Sequence, residues 1–257
     1  MRSVRIGREV RYAERTASTM DDARVGADRD GERSAGVAYV GGQQTAGRGR
    51  QGRNWISEPG AGLYVTYHLV PAVAVEHVPL LAAAGALAVA DTARELARLE
   101  TELKWPNDVL HAGRKLAGVL AEARHGPRLD VFLGIGLNLR EAALPPDVRA
   151  LATSLEAASG RSPEPETALA ALSVALEAWC ILLERDPSAL VEAWRSRLVT
   201  LGQPVRLALP EGGTVEGNAL DVTSNGELLV RAGNGEVRPY AAGDVTSRLP
   251  ENNHNTA

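Results

Sequence analysis

Residues 41–54 hold five glycines and three arginines, Arg48, Arg50 and Arg53, and no acid occurs between Arg33 and Glu58. Guanidinium groups grip phosphate or carboxylate oxygens in pairs, and glycine lets a backbone close tightly around an anion. The segment reads as a mobile, strongly positive loop that meets an anionic ligand. Its centre, GRGRQGRNW at residues 47–55, formally contains the G-x-G-x-x-G spacing of dinucleotide sites. That chemistry requires a helix directly after the loop, whose N-terminus holds the pyrophosphate. The residues that follow, NWISEPG at 54–60, cannot form a long helix, so this reading fails. A Walker loop is excluded too, because no Gly-Lys-Ser or Gly-Lys-Thr triplet occurs.

The 28 basic residues include lysine only at Lys104 and Lys115, so arginine fills the other 26 positions. A lysine kept in such a chain points to a need for a compact point charge rather than a planar fork. Lys104 opens KWPND, residues 104–108, where Pro106 biases Trp105 to an extended shape and ends a strand. Asn107 and Asp108 then stand at the strand end. Lys115 belongs to RKLAG, residues 114–118, just after a His-Ala-Gly turn. Both lysines are expected on neighbouring strand ends of one hairpin. Further on, GIGLNL at 134–139 places two glycines and Asn138 at the end of a long apolar strand.

These groups need a scaffold, and periodicity supplies one. Alternation predicts strands at 10–14, 36–40, 63–69, 102–105, 109–111, 116–122 and 129–139. Ser18 and Thr19, followed by Asp21 and Asp22, form a helix start, with hydroxyls capping free N–H groups and acids in the first turn. Residues 80–99 read as a helix. Leu169, Leu172, Leu176, Trp179 and Leu183 recur at steps of three and four, one buried helix face that also takes Cys180. Residues 187–201 form another helix, and 140–166 show no clear pattern. After Gly202 short strands alternate with Gly-Gly and Asn-Gly turns, the texture of a small β-barrel. The expected architecture is α/β, helices on a mixed sheet, then a small barrel.

Composition removes other classes. The 257 residues suit one large domain plus a small one, and 44% hydrophobic with 23% charged is ordinary for a globular chain. One cysteine excludes an internal disulfide and a thiolate metal cage. A net charge of −4 argues against a general nucleic-acid surface. The N-terminus lacks the apolar stretch of a signal peptide, and no run of eighteen apolar residues suggests a membrane span. A cytoplasmic protein is expected.

Taken in order and with these gaps, Ser18-Thr19, Gln44 with GRGRQGRNW, KWPND, RKLAG and GIGLNL resemble biotin protein ligase over residues 10–248. The resemblance implies an α/β (α+β) fold of the class II aminoacyl-tRNA synthetase and biotin ligase type, with an SH3-like C-terminal barrel. It implies a catalytic domain at 1–200, a barrel at 201–249 and a disordered tail at 250–257. Because the chain starts in the catalytic region, it resembles the monofunctional class without a DNA-binding domain. The implied reaction uses biotin, ATP and Mg²⁺. The biotin carboxylate attacks the α-phosphate, and the biotinyl-5′-AMP formed then biotinylates a lysine of a carrier domain.

Carried over residue by residue, the resemblance gives Ser18, Thr19, Met20, Gln44, Arg48, Gly49, Arg50, Lys115 and Gly118 to biotin. It gives Arg50, Arg53, Trp55, Asn107, Asp108, Lys115, Asn138 and Arg248 to ATP, with Lys115 and Arg50 as the catalytic pair. Mg²⁺ is expected to ride mainly on the ATP phosphates. No tryptophan lies in 140–160, so Pro145, Pro146, Val148 or Leu151 is expected to cover the adenine. The acceptor is expected to be a biotin carboxyl carrier protein or domain of an acetyl- or acyl-CoA carboxylase or of pyruvate carboxylase. Neither DNA nor membrane is an expected partner, and the chain is expected to be a monomer or weak dimer. The alternatives are a lipoate-type ligase, which would not be expected to carry GRGRQGRNW, and a non-catalytic biotin-sensing regulator, which would need a DNA-binding element.

Overall fold

The structure is a computed structural model that describes residues 5–145 and 148–247. Seven strands, β1 (Val10–Ala13), β2 (Ala38–Gly41), β3 (Gly62–Leu69), β4 (Glu102–Lys104), β5 (Asp108–His111), β6 (Arg114–His125) and β7 (Leu129–Asn138), form one sheet. Their order is β1-β2-β3-β7-β6-β5-β4, parallel only between β1 and β2. A parallel pair needs a crossover, which α1 (Thr19–Asp30) provides. The remaining helices are α2 (Leu80–Ala97), α3 (Leu155–Ser159), α4 (Pro165–Arg185) and α5 (Pro187–Arg195). Strands β8 (Pro204–Ala208), β9 (Thr214–Val222), β10 (Leu228–Ala232), β11 (Val237–Tyr240) and β12 (Asp244–Ser247) make a second sheet in the order β11-β10-β9-β8-β12. That antiparallel set is consistent with the SH3-like domain expected.

The two faces of the large sheet do different work. Leu63, Val65 and Tyr67 of β3, with Leu133, Ile135 and Leu137 of β7, are buried in the main core with α2 and α4. Alanine-rich α2 can lie close to the strands. A side chain on Gly85 would meet Val119 at 2.9 Å. On the opposite face α1 packs Met20, Ala23 and Ala27 with Tyr39 and Phe132. Covered on both sides, β3 is buried along its whole length, although its sequence alternates.

Helix α4 is long and apolar enough, by length and composition, to cross a membrane, contrary to the expectation from apolar runs. Its leucine stripe instead enters the core, where Leu172, Leu176 and Leu183 are fully buried. Trp105 ties the second sheet to the first: its backbone N–H donates to Thr200 Oγ1 and its indole N–H to the Gly226 carbonyl, both at 2.9 Å. Residues 140–166, patternless in sequence, contain α3, capped by Ser154 accepting from the Ala157 N–H. The proposed tail at 250–257 lies outside the described residues.

Candidate active site

A cavity of about 250 Å³ opens on the α1 side of the large sheet. Register explains its floor. Gly136 pairs with Gly118, Gly118 with Asp108, and Asp108 with Lys104, so one cross-strand row carries two glycines, a carboxylate and an ammonium on a shared face. One row along, Thr66 pairs with Gly134. The glycines leave room for other groups. A side chain at Gly136 would overlap the Trp55 indole, and one at Gly118 would come within 3.0 Å of Trp55 and 3.3 Å of Lys115 Nζ. The two lysines are not on adjacent strands, as the hairpin reading held. They stand on β4 and β6, either side of β5.

One end of the cavity is neutral and hydrogen-bonded. Ser18 caps α1, its Oγ accepting from the Met20 N–H at 3.3 Å. Gln44 Oε1 accepts from the Thr19 N–H at 2.9 Å and from its hydroxyl at 3.1 Å, while Gln44 Nε2 donates to Ser57 Oγ. Thr19 and Thr66 hydroxyls lie 2.8 Å apart. The positive end of the α1 dipole also points here.

The other end is cationic. Arg48, Arg50, Arg53, Lys104 and Lys115 line the cavity against two carboxylates, Asp108 and Asp244. The balance favours an anionic guest. Lys115 Nζ donates to Asp108 Oδ1 at 2.6 Å and lies 5.4 Å from the Trp55 ring centre. Its backbone is clamped, since Lys115 N–H donates to Leu151 O and Thr153 N–H to Lys115 O, both at 2.8 Å. Burial lowers the pKa of Lys104, as do the charges of Lys115 and Arg53, while Asp108 opposes them. The Arg50 guanidinium is lowered likewise, first by burial and then by Arg53, again against Asp108.

Two of the loop's three arginines find counter-ions that the local sequence does not show. Gly49 N–H donates to Arg53 O at 2.7 Å and Trp55 N–H to Gly47 O at 2.9 Å, which folds residues 47–55 into a turn. Its counter-ions come from distant elements: Asp21 of α1 pairs with Arg48, and Asp244 of β12 pairs with Arg53. The acid-free window in the sequence is real, and tertiary contacts fill it in part.

Met20, Gly49, Trp55 and Asn107 also line the cavity, with Asn107 Nδ2 donating to the Val119 carbonyl. Asn138 does not line it. The residue is 5% exposed, and its amide donates to Thr153 O at 3.0 Å, holding the segment that clamps Lys115. Arg248 and Pro146 lie outside the described residues. Val148 packs with Ala61 and Leu144 in a small cluster, whereas Leu151 is 74% exposed. Sequence reasoning missed Thr66 and Asp244 as wall residues. The glycine run GIGLNL was a signal for the floor, but Asp244 had none.

The model of the biotin/lipoate A/B protein ligase family matches residues 12–138, and that of the biotin protein ligase C-terminal domain matches 200–246. The biotin–[acetyl-CoA-carboxylase] ligase of Mycobacterium tuberculosis is 37% identical over 246 residues, 93% of this chain and 88% of that protein. The chain belongs to the biotin protein ligase family. The ligase of the same name from Paracoccus denitrificans is 34% identical over 206 residues, 74% of this chain and 81% of the relative. The biotin protein ligase of Aquifex aeolicus, solved in complex with biotin and ATP, superposes with a TM-score of 0.79 at 25% identity, covering 94% of this chain and 99% of that one. The two matched regions correspond to the two sheets of this chain.

Proposed function

We propose that this ligase activates biotin with ATP to biotinyl-5′-AMP and transfers biotin to a lysine of a carrier domain. The observation that carries the reading is the division of one cavity into a neutral hydrogen-bonding end and a cationic end that includes Lys115. Biotin's uncharged head group suits Ser18, Thr19 and Gln44, the first helical turn at Met20, and the glycine floor. Its carboxylate then points to Lys115 and the arginines. A carboxylate oxygen attacks the α-phosphorus of ATP, and the bond to pyrophosphate breaks. Two anions must meet in that step, so the demand is electrostatic. Lys115 and Arg50 are the catalytic residues of this reading. Arg48 and Gly49 close over biotin, and Gly118 gives the ligand room. Arg53, Trp55, Asn107 and Asp108 serve the nucleotide side, with Asn138 and Arg248 retained there as family expectations. In the second step a carrier lysine amine attacks the anhydride carbonyl, and AMP leaves.

Mg²⁺ fits as a cation arriving with ATP. Among the described residues no three His, Cys, Asp or Glu side chains come together to hold an ion. Asp108 offers one hard oxygen, and phosphates would supply others; the ion would neutralise phosphate charge. The carrier domain is that of an acetyl- or acyl-CoA carboxylase or of pyruvate carboxylase, and the place of action is the cytoplasm, as monomer or weak dimer. The catalytic domain would end near residue 200, where the second sheet begins. Pro145, Pro146, Val148 or Leu151 would cover the adenine.

The test is a transfer assay with labelled biotin, MgATP and a carrier domain, with labelled lipoate in parallel. Biotin-dependent pyrophosphate release followed by label on the carrier lysine is expected. Label from lipoate alone would overturn the assignment in favour of the lipoate reading.

A further inference from the structure

We infer that Asp244, at the start of β12 in the C-terminal domain, is a positioning residue that docks the arginine loop across the cavity. Through it the second domain builds part of the first domain's site.

The observations come from both sides of the contact. Asp244 pairs with Arg53, and its Oδ1 stands 3.9 Å from Arg50 NH1. The preceding carbonyl, Gly243 O, accepts from Arg50 NH1 at 3.0 Å. Loop and strand are separated by 193 residues, so no local sequence rule brings them together. Gly243 is required where β12 enters beside β8: its φ is +150°, and a side chain would come within 2.5 Å of Leu207 and 3.0 Å of the Ala208 carbonyl. Register then fixes the carboxylate, because Asp244 pairs with Ala208 on β8, which the buried Leu207 and Val205 anchor in the core. Asp244, Val245 and Thr246 all line the cavity. Arg50 is a half-satisfied cation. Only a fifth of its side chain is exposed, and among the described residues it donates to one carbonyl while five N–H donors are available.

Two opposite consequences compete. Asp244 is an anion beside the phosphate site, so it competes with ATP for the arginines. It also holds the loop in place before ATP arrives. A partly exposed ion pair shifts an equilibrium by at most about fivefold. Ordering a backbone costs roughly five- to thirtyfold per residue, and residues 47–55 must be ordered for the loop to close. The Arg53 pair can persist while Arg50 turns to the phosphates, so docking spares ATP up to about fivefold of that ordering cost, and loss of Asp244 should weaken nucleotide use.

The inference rests on the ligase reading for its nucleotide arm but not for its loop arm. In the ligand-free protein, hydrogen–deuterium exchange of loop amides 47–55 is followed for wild type, Asp244→Asn and Asp244→Glu. Pyrophosphate release is measured with the same proteins against ATP and biotin. Asp244→Asn should speed loop exchange about three- to fivefold and raise the ATP KM by a similar factor. Transfer from ready-made biotinyl-AMP should fall less than threefold, with an unchanged melting temperature. Asp244→Glu, which keeps the charge, should restore most of both losses. Unchanged loop exchange in Asp244→Asn overturns the docking role, and a lower ATP KM shows a competitor instead. If Asp244→Asn does not fold, Arg53→Gln interrogates the pair from the loop side, where the side chain is 64% exposed. Its loop should loosen similarly, and unaltered exchange there also refutes docking. A wild type that releases no pyrophosphate overturns the ligase reading, while the loop arm still judges Asp244.

Discussion

Replacing Lys115 by arginine keeps the charge and changes only its shape and reach. Lys115 Nζ sits 2.6 Å from Asp108 Oδ1, in the space left by Gly118 and 5.4 Å from the Trp55 ring centre. An atom at the Gly118 Cβ position would lie only 3.3 Å from that nitrogen, so the niche is fitted to a small head group. A guanidinium is longer, planar and forked, so its charge must move outward. Moving a unit charge from about 3 to about 4.5 Å from one anion, at an effective dielectric of about 20, loses roughly 2 kcal/mol. In the proposed reaction two anions meet at this point, the biotin carboxylate and the α-phosphate. The expected loss in adenylation is at least about 100-fold, the scale of one misplaced transition-state group. Pyrophosphate release from biotin and MgATP, beside wild type, gives the number, and thermal melting checks the fold. Transfer from chemically prepared biotinyl-AMP should suffer far less, because the meeting of two anions has already happened. Near-wild-type release would mean that any cation serves at this position, and the argument from lysine's compactness would fail.

Three further outcomes follow from the same geometry. Gly136→Ala places a methyl group where the Trp55 indole lies, so the KM for ATP or biotin should rise about tenfold while the melting temperature barely changes; unaltered constants would remove Trp55 from the ligand wall. Burial alone would raise the pKa of the Asp130 carboxyl, but Arg128, Arg124 and His68 hold it down to about 2 against an ordinary 3.8. A carboxyl depressed in the folded state stabilises above pH 4 and loses that contribution as pH falls towards 2, so Asp130→Asn should remove about 2 kcal/mol at pH 7 and flatten the acid limb of the stability curve. Denaturant midpoints across pH 2–7 check this, and an acid limb unchanged in the variant would refute it. Burial and then Glu184 push the Cys180 thiol up to about 12, so Ellman's reagent at pH 8 should find no thiol until the protein is unfolded; rapid native labelling would contradict the packing of α4.

Much of this molecule was written locally. The helix start at Ser18 and Thr19, the core face of α4 and the succession of strands from β3 to β7 follow from capping chemistry and periodicity, which act within a few residues. The chemical residues were legible for a similar reason: glycine, arginine and two rare lysines have few other uses in that pattern. Residues 140–166 stayed opaque because α3 is a five-residue helix, too short for periodicity to show.

What the sequence could not hold is anything that depends on which strands become neighbours. The row Lys104, Asp108, Gly118 and Gly136 exists only once β4, β5, β6 and β7 are in register. The Asn138 amide donates to the Thr153 carbonyl, a partner that only the folded arrangement supplies. The loop looked unbalanced because charge balance was sought along the chain, whereas Coulomb's law acts through space. Asp21 and Asp244 supply the missing charge from α1 and from the far end of the chain, which only the folded arrangement of helix, sheet and second domain brings within reach.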